Sequence, residues 1–187
     1  TAVGTYQLWG LSFYNCYLSD GRSFLQLVTK GSAKSPVVQA RLWCMHDEVF
    51  PQTQQEWEWW MGSYQRDEHG QFIRDENGLA MRADWGTIGW PQFQIDGPPV
   101  AVYNRAWSTG VEGGIDAVEF NEIIVDATGD ESWAKHEAME YARMLTTATD
   151  ATQELVMVGT IQANGDASIG VLVGLELNPQ TLKIIHS

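Results

Sequence analysis

The stretch Glu154–Leu177 constrains the fold more than any other part of the chain. It reads ELVMVGTIQ, then ANGDAS, then IGVLVGLEL. Two β-favouring runs flank Asn164-Gly165, the dipeptide that best suits a tight hairpin, because both residues tolerate positive φ. In the second arm Ile169, Val171, Val173, Leu175 and Leu177 share one face. Gly170, Leu172, Gly174 and Glu176 share the other. The first arm is apolar on both faces, with Leu155, Met157 and Ile161 against Val156 and Val158. A hairpin of this kind must lie centrally in a sheet, covered by a second layer or by another subunit.

The flanking segments extend the pattern. Thr5–Tyr17 reads as one long aromatic strand, and Ser19-Asp20-Gly21 turns it into a return strand, Ser23–Thr29. Over Val37–His46 the alternation sets Val38, Ala40, Leu42 and Cys44 on one face and Gln39 and Arg41 on the other. That suits a sheet with its apolar face inward and its polar face in water. Val100–Trp107 and Ala117–Val125 are further strands, and Leu182–Ile185 a short closing one.

Two segments depart from strand periodicity. Thr53-Gln54-Gln55-Glu56 has capping-box form, and Trp57, Trp60 and Tyr64 recur at helical spacing, which predicts a helix over 54–65. Thr128-Gly129-Asp130-Glu131 repeats the box, with Thr128 as N-cap. Ala134, Ala138, Tyr141, Ala142 and Leu145 then predict a second helix over 132–145. Between these, Arg66-Asp67-Glu68-His69-Gly70 is echoed by Arg74-Asp75-Glu76-Asn77-Gly78, which suits a short exposed hairpin. Trp85–Pro99 reads as irregular. The expected architecture is one domain over 1–187, mainly β: an antiparallel β-sandwich or barrel built from hairpins. It carries one late peripheral helix and a short helix within a Trp-rich insertion at about 51–99. No βαβ alternation points to a parallel sheet.

Charge and motif narrow the function. With 11 basic and 24 acidic residues the net charge is −13, which disfavours binding to a phosphate backbone. No apolar run approaches the roughly 18 residues of a membrane span, so a soluble chain without membrane partners is expected. No basic and apolar leader pattern opens the sequence, so no secretory leader is expected in it. Cys16 and Cys44 could bridge or remain thiols.

His46, His69, His136 and His186 lie in no metal spacing, and neither a metal nor a cofactor is expected. His46-Asp47-Glu48 sets an imidazole beside carboxylates after a strand, an arrangement more often structural than catalytic. Among the acids Glu56, Glu58, Asp116, Glu119 and Glu122 lie near aromatic or strand segments, without a defined pair.

The nine tryptophans stand out, and Trp57, Trp59 and Trp60 fall in a single run. With Tyr64, Trp85 and Trp90 they form the expected interface or ligand-stacking set. The leading expectation is a non-enzymatic structural protein that self-assembles into a homo-oligomer or with other structural subunits. Its specific form is a virion component, such as a phage tail-tube subunit or capsid decoration protein, located in a virion or outside the cell. The alternative is a carbohydrate-binding β-sandwich module or glycosidase-like enzyme, using Trp stacking and acidic residues.

Overall fold

The computed structural model describes residues 2–60, 67–69, 71, 73, 74, 76, 78, 87–90, 101–107, 117–145, 151–163 and 166–182. The chain builds two antiparallel runs of four strands. The first is β1 (Val3–Leu8), β2 (Leu11–Tyr17), β3 (Ser23–Thr29) and β4 (Val37–Val49). The second is β7 (Val118–Val125), β8 (Glu131–Met144), β9 (Ala151–Ala163) and β10 (Asp166–Leu177). β7 pairs with β1 and β10 with β4, which joins the two runs into a closed eight-stranded barrel. Closure gives each of these strands a partner on both sides, and eight strands enclose just enough room for side chains or one small ligand.

The segment between the runs carries α1 (Gln54–Trp60), β5 (Thr87–Trp90) and β6 (Ala101–Arg105). β6 pairs with β8 at Asn104↔Ala142 and Arg105↔Tyr141, further along the β8 edge that β7 occupies over Val118–Val125. At the start of α1 the Glu56 amide donates to Thr53 Oγ1 at 3.2 Å. The Glu56 carboxylate accepts from the Gln52 amide, one residue earlier than a capping box requires. Residues 61–66, over which this helix was expected to continue, lie outside the described residues, as do Tyr64, Trp85 and most of the expected exposed hairpin.

The barrel has two apolar clusters. Inside lie Tyr6, Phe13, Phe24, Val28, Trp43, Trp107, Val118, Ala138, Leu155, Met157 and Leu172. On the outer side of β8, β9 and β10 lie Met139, Tyr141, Val156, Val158, Ile169 and Val171. Tyr103 of β6 joins this outer cluster, and Trp57 and Trp60 of α1 pack on it. The inner face of the Glu154–Leu177 hairpin is thus covered by the barrel interior, and on its outer face Val156, Val158, Ile169 and Val171 are buried while Leu175 is exposed. The hairpin pairs as expected, Ala163 opposite Asp166, while Asn164-Gly165 themselves lie outside the described residues.

Three expectations are corrected. The late helix is strand β8, paired with β7 on one side and β9 on the other. Ala134, Ala138 and Ala142 stand four apart, a spacing that fits a helical face and one face of a strand equally well. The sequence at Thr128 is no helix cap. Asp126 Oδ1 accepts from the Thr128 amide and hydroxyl and from the Asp130 amide, and Gly129 has φ 91°, which makes a β7–β8 turn. Thr5–Tyr17 is not one strand, because Trp9 and Gly10, at φ 52° and 76°, turn it between Leu8 and Leu11.

β4 also departs from expectation, with its faces reversed. Arg41 and Trp43 point into the barrel, and Leu42 and Cys44 are exposed. Cys16 and Cys44 are both free thiols.

Candidate functional site

The barrel is packed solid at one end and hollow at the other. Trp107 fills the solid end, with its ring edge-on to Trp9, Phe13 and Phe120 at 5.7, 6.3 and 6.2 Å. The hollow end is a cavity of about 700 Å³, within the usual range of roughly 300–1,000 Å³ for small-molecule sites. Its mouth is formed by the β2–β3 turn at Gly21 and Arg22 and by the end of β4 at Met45–Glu48. A bulge sits there, since Met45 faces Leu172 and Asp47 faces Val171, leaving His46 as the extra residue. Bulges bend a strand and re-aim its side chains. His46, Asp47 and Glu48 all line the cavity, and Glu48 accepts a hydrogen bond from Ser168 Oγ at 2.7 Å.

Aromatic and aliphatic side chains make most of the deeper wall, with Tyr6, Phe24, Phe120, Met157 and Leu172 among them. Glycines let neighbouring groups pack closely on this side of the wall. Gly159, facing Ala138, and Gly170, facing Gly159, both lie on the inward side. A Cβ on Gly174 would come within 2.6 Å of the Trp43 ring.

The cavity wall also holds a polar network. Glu122 of β7 is 1% exposed. Its Oε1 accepts from Asn15 Nδ2 and from the Tyr17 hydroxyl, each at 2.8 Å, and its Oε2 lies 2.9 Å from His136 Nε2. The His136 ring stacks on Phe120 at 4.9 Å. Gly4 is required opposite, because any Cβ there would overlap the Glu122 carboxylate.

From Asn15 the network runs along a single row of cross-strand neighbours: Gly4, Asn15, Gln26, Arg41 and Glu176 on β1, β2, β3, β4 and β10. Gln26 Nε2 donates to Asn15 Oδ1 at 3.0 Å and to the Tyr6 hydroxyl at 2.9 Å. Gln26 Oε1 accepts from Arg41 Nη1 and Trp43 Nε1, both at 3.4 Å. Arg41 Nη1 also donates to Glu140 Oε2 at 2.9 Å.

Burial dominates the electrostatics of this network. It pushes the Glu140 carboxyl up to about 7, even though Arg41 beside it pulls the other way. Burial likewise raises the Tyr6 hydroxyl well above its usual range, helped by the charges of Glu140 and Glu122, so Tyr6 keeps its proton. Tyr17 is raised by burial and by Glu122. Two carboxyl groups this deeply buried are rare unless paired, and each here has its partners.

Of the expected set, Trp57 and Trp60 are half-buried against the chain's own outer cluster. Trp90 belongs to β5, but its side chain and that of Trp59 lie outside the described residues, as do Tyr64 and Trp85. Glu122 was one of the five acids singled out, and the structure brings it beside His136 from the neighbouring strand, with Phe120 directly opposite His136. Asn15, Tyr17, Gln26 and Arg41 carried no recognisable sequence signal. No group of three metal-binding side chains occurs among the described residues, and no described helix is long and apolar enough to cross a membrane. No family model, curated protein or solved structure matches the chain.

Proposed function

We propose that this barrel binds a compact, largely apolar small molecule in its hollow half, with one polar end of the ligand set against the Glu122–His136 wall. The observation that carries this reading is the cavity of about 700 Å³ with a buried carboxylate, held by Asn15 and Tyr17 and set against an imidazole, on its lining. A barrel designed only for stability would fill this space, since unfilled interior volume costs stability. A neutral apolar fluorophore, N-phenyl-1-naphthylamine, tests it. Saturable one-to-one binding is expected, and Leu172→Trp, which fills the cavity, should abolish it while circular dichroism stays native. Binding that is absent, or indifferent to Leu172→Trp, overturns the reading.

Self-assembly as a structural subunit, including a virion component, is the second reading. It is favoured by the outer wall of β3, β4 and β10, where Leu25, Leu42 and Leu175 stand side by side in register. Leu42 and Leu175 are exposed, as is Val38 nearby. The supporting surface is thus the barrel wall rather than the tryptophan helix, where Trp57 and Trp60 use their shared face on their own chain. Native mass at low micromolar concentration tests it: a defined oligomer that Leu42→Lys dissolves supports assembly, and a monomer rejects it. The alternative, sugar stacking on the Trp57–Trp60 run, would use the exposed parts of the half-buried Trp57 and Trp60 rings.

A further inference from the structure

The hydrogen-bond network fixes where the cavity's spare proton and spare lone pair lie. Arg41 and the Trp43 indole can only donate, so the Gln26 atom they share must be the amide oxygen. The Gln26 amide nitrogen therefore donates to Tyr6, and the proton of the Tyr6 hydroxyl is not used in that bond. The same nitrogen donates to Asn15 Oδ1, so the Asn15 amide nitrogen donates to Glu122. Glu122 takes a second proton from Tyr17, and as a carboxylate it accepts at Oε2 as well. In the neutral imidazole, that places the proton on His136 Nε2 and leaves Nδ1 a bare acceptor. Among the described residues neither His136 Nδ1 nor the Tyr6 proton has a partner. Both rings line the cavity and each stacks on a shared neighbour, Phe120, at 4.9 and 4.3 Å.

We infer that the cavity catalyses proton transfer at a carbon next to a carbonyl group, in a small apolar ketone or related carbonyl compound. His136 Nδ1 removes the proton. The C–H bond breaks, its electron pair becomes the new C=C bond, and the carbonyl π pair moves onto oxygen. The Tyr6 hydroxyl donates a hydrogen bond to that oxygen, where charge develops. His136 then gives a proton back, to the same carbon after the imidazolium proton has traded with solvent, or to another carbon in isomerisation. Atoms and electrons balance without an oxidant or reductant. Glu122 is the positioning residue, holding the tautomer that leaves Nδ1 free.

This inference rests on the small-molecule reading, and the experiment separates the two. The probe is 2-tetralone in D2O, with loss of its α-proton signal followed by NMR and its binding measured by displacement of N-phenyl-1-naphthylamine. The native chain is expected to exchange the α-protons at least about 100-fold faster than an equal concentration of imidazole. His136→Gln should lose roughly 10²–10⁴-fold in exchange rate with displacement retained. Tyr6→Phe, which keeps the ring stack, should lose roughly 10²–10³-fold. Glu122→Gln should lower turnover and mix the two His136 tautomers, read from imidazole ¹⁵N shifts. If it fails to fold, His136→Gln and Tyr6→Phe decide. Displacement without exchange, or exchange unchanged in His136→Gln, overturns the proton-transfer inference and leaves the container standing. Failure of 2-tetralone to displace the fluorophore overturns the inference for this substrate class, and failure of the fluorophore itself to bind overturns both.

Discussion

The two faces of β8, β9 and β10 follow opposite rules. Their outer face is a continuous apolar layer of Met139, Tyr141, Val156, Val158, Ile169 and Val171, covered by the insertion. Their inner face mixes the apolar Leu155, Met157 and Leu172 with Ala134, His136, Ala138, Glu140, Gly159, Gly170 and Gly174. The uniformly apolar face lies outside the barrel, and the face that admits small and polar residues lies inside. Stability and site are thus separated across one sheet. The outer layer holds the wall rigid, and the inner face is left free to be hollow and charged. The position of Trp43 shows how closely the two are matched, since its indole occupies the space that Gly174 leaves.

If this division is right, substitutions on the two faces should fail differently. The largest effect is expected at the inner ion pair. Glu140→Ala leaves Arg41 buried without its charge partner and should destabilise by about 3–5 kcal/mol in urea unfolding. The double change Arg41→Met with Glu140→Leu should recover most of that loss. A double variant as unstable as the single one would mean that the pair itself holds the barrel together.

Next comes the outer layer. Ile169→Ala should cost about 2–4 kcal/mol through lost burial and the cavity left behind. It should leave fluorophore affinity unchanged. A parallel loss of affinity would show that the two faces are coupled.

The third test uses pH. The Glu140 carboxyl sits at about 7 in the folded chain against an ordinary value of 4.5. The folded state therefore binds the extra proton between those values, and stability falls as pH rises from about 4.5 to 7. The fall should be on the order of 2 kcal/mol. Comparing unfolding midpoints at pH 5 and 7.5 in the native chain and in Glu140→Gln checks this, because the variant should lose that part of the slope.

The smallest effect is expected at the edge of the outer cover. Thr53→Ala removes the side-chain acceptor of the Glu56 amide and should cost about 1 kcal/mol. Increased Trp fluorescence quenching by iodide would report Trp57 and Trp60 loosening from the barrel, with the cavity unaffected.

The sequence by itself determined most of the strands outside β8 and the pairing of the Glu154–Leu177 hairpin. Alternation at period two and turn residues are local signals, and local chemistry suffices to read them. It also marked the Thr53 helix start, because a cap is a contact between near neighbours in the chain. It misread the segment over 132–145, where alanines four apart satisfy both periods, and only pairing with β7 and β9 selects the strand. It reversed β4 for a related reason. Alternation shows that two faces differ, but not which one points inward, and in this barrel Arg41 is admitted to the interior by Glu140, 99 residues away. The site was illegible on the same ground. Glu122 meets His136 across the β7–β8 hairpin, but Asn15 and Tyr17 reach it only when β1 pairs with β7 and the two runs of strands close. Closure depends on contacts distant in the chain, and the burial that shifts a carboxyl or holds a ring in place exists only after that closure.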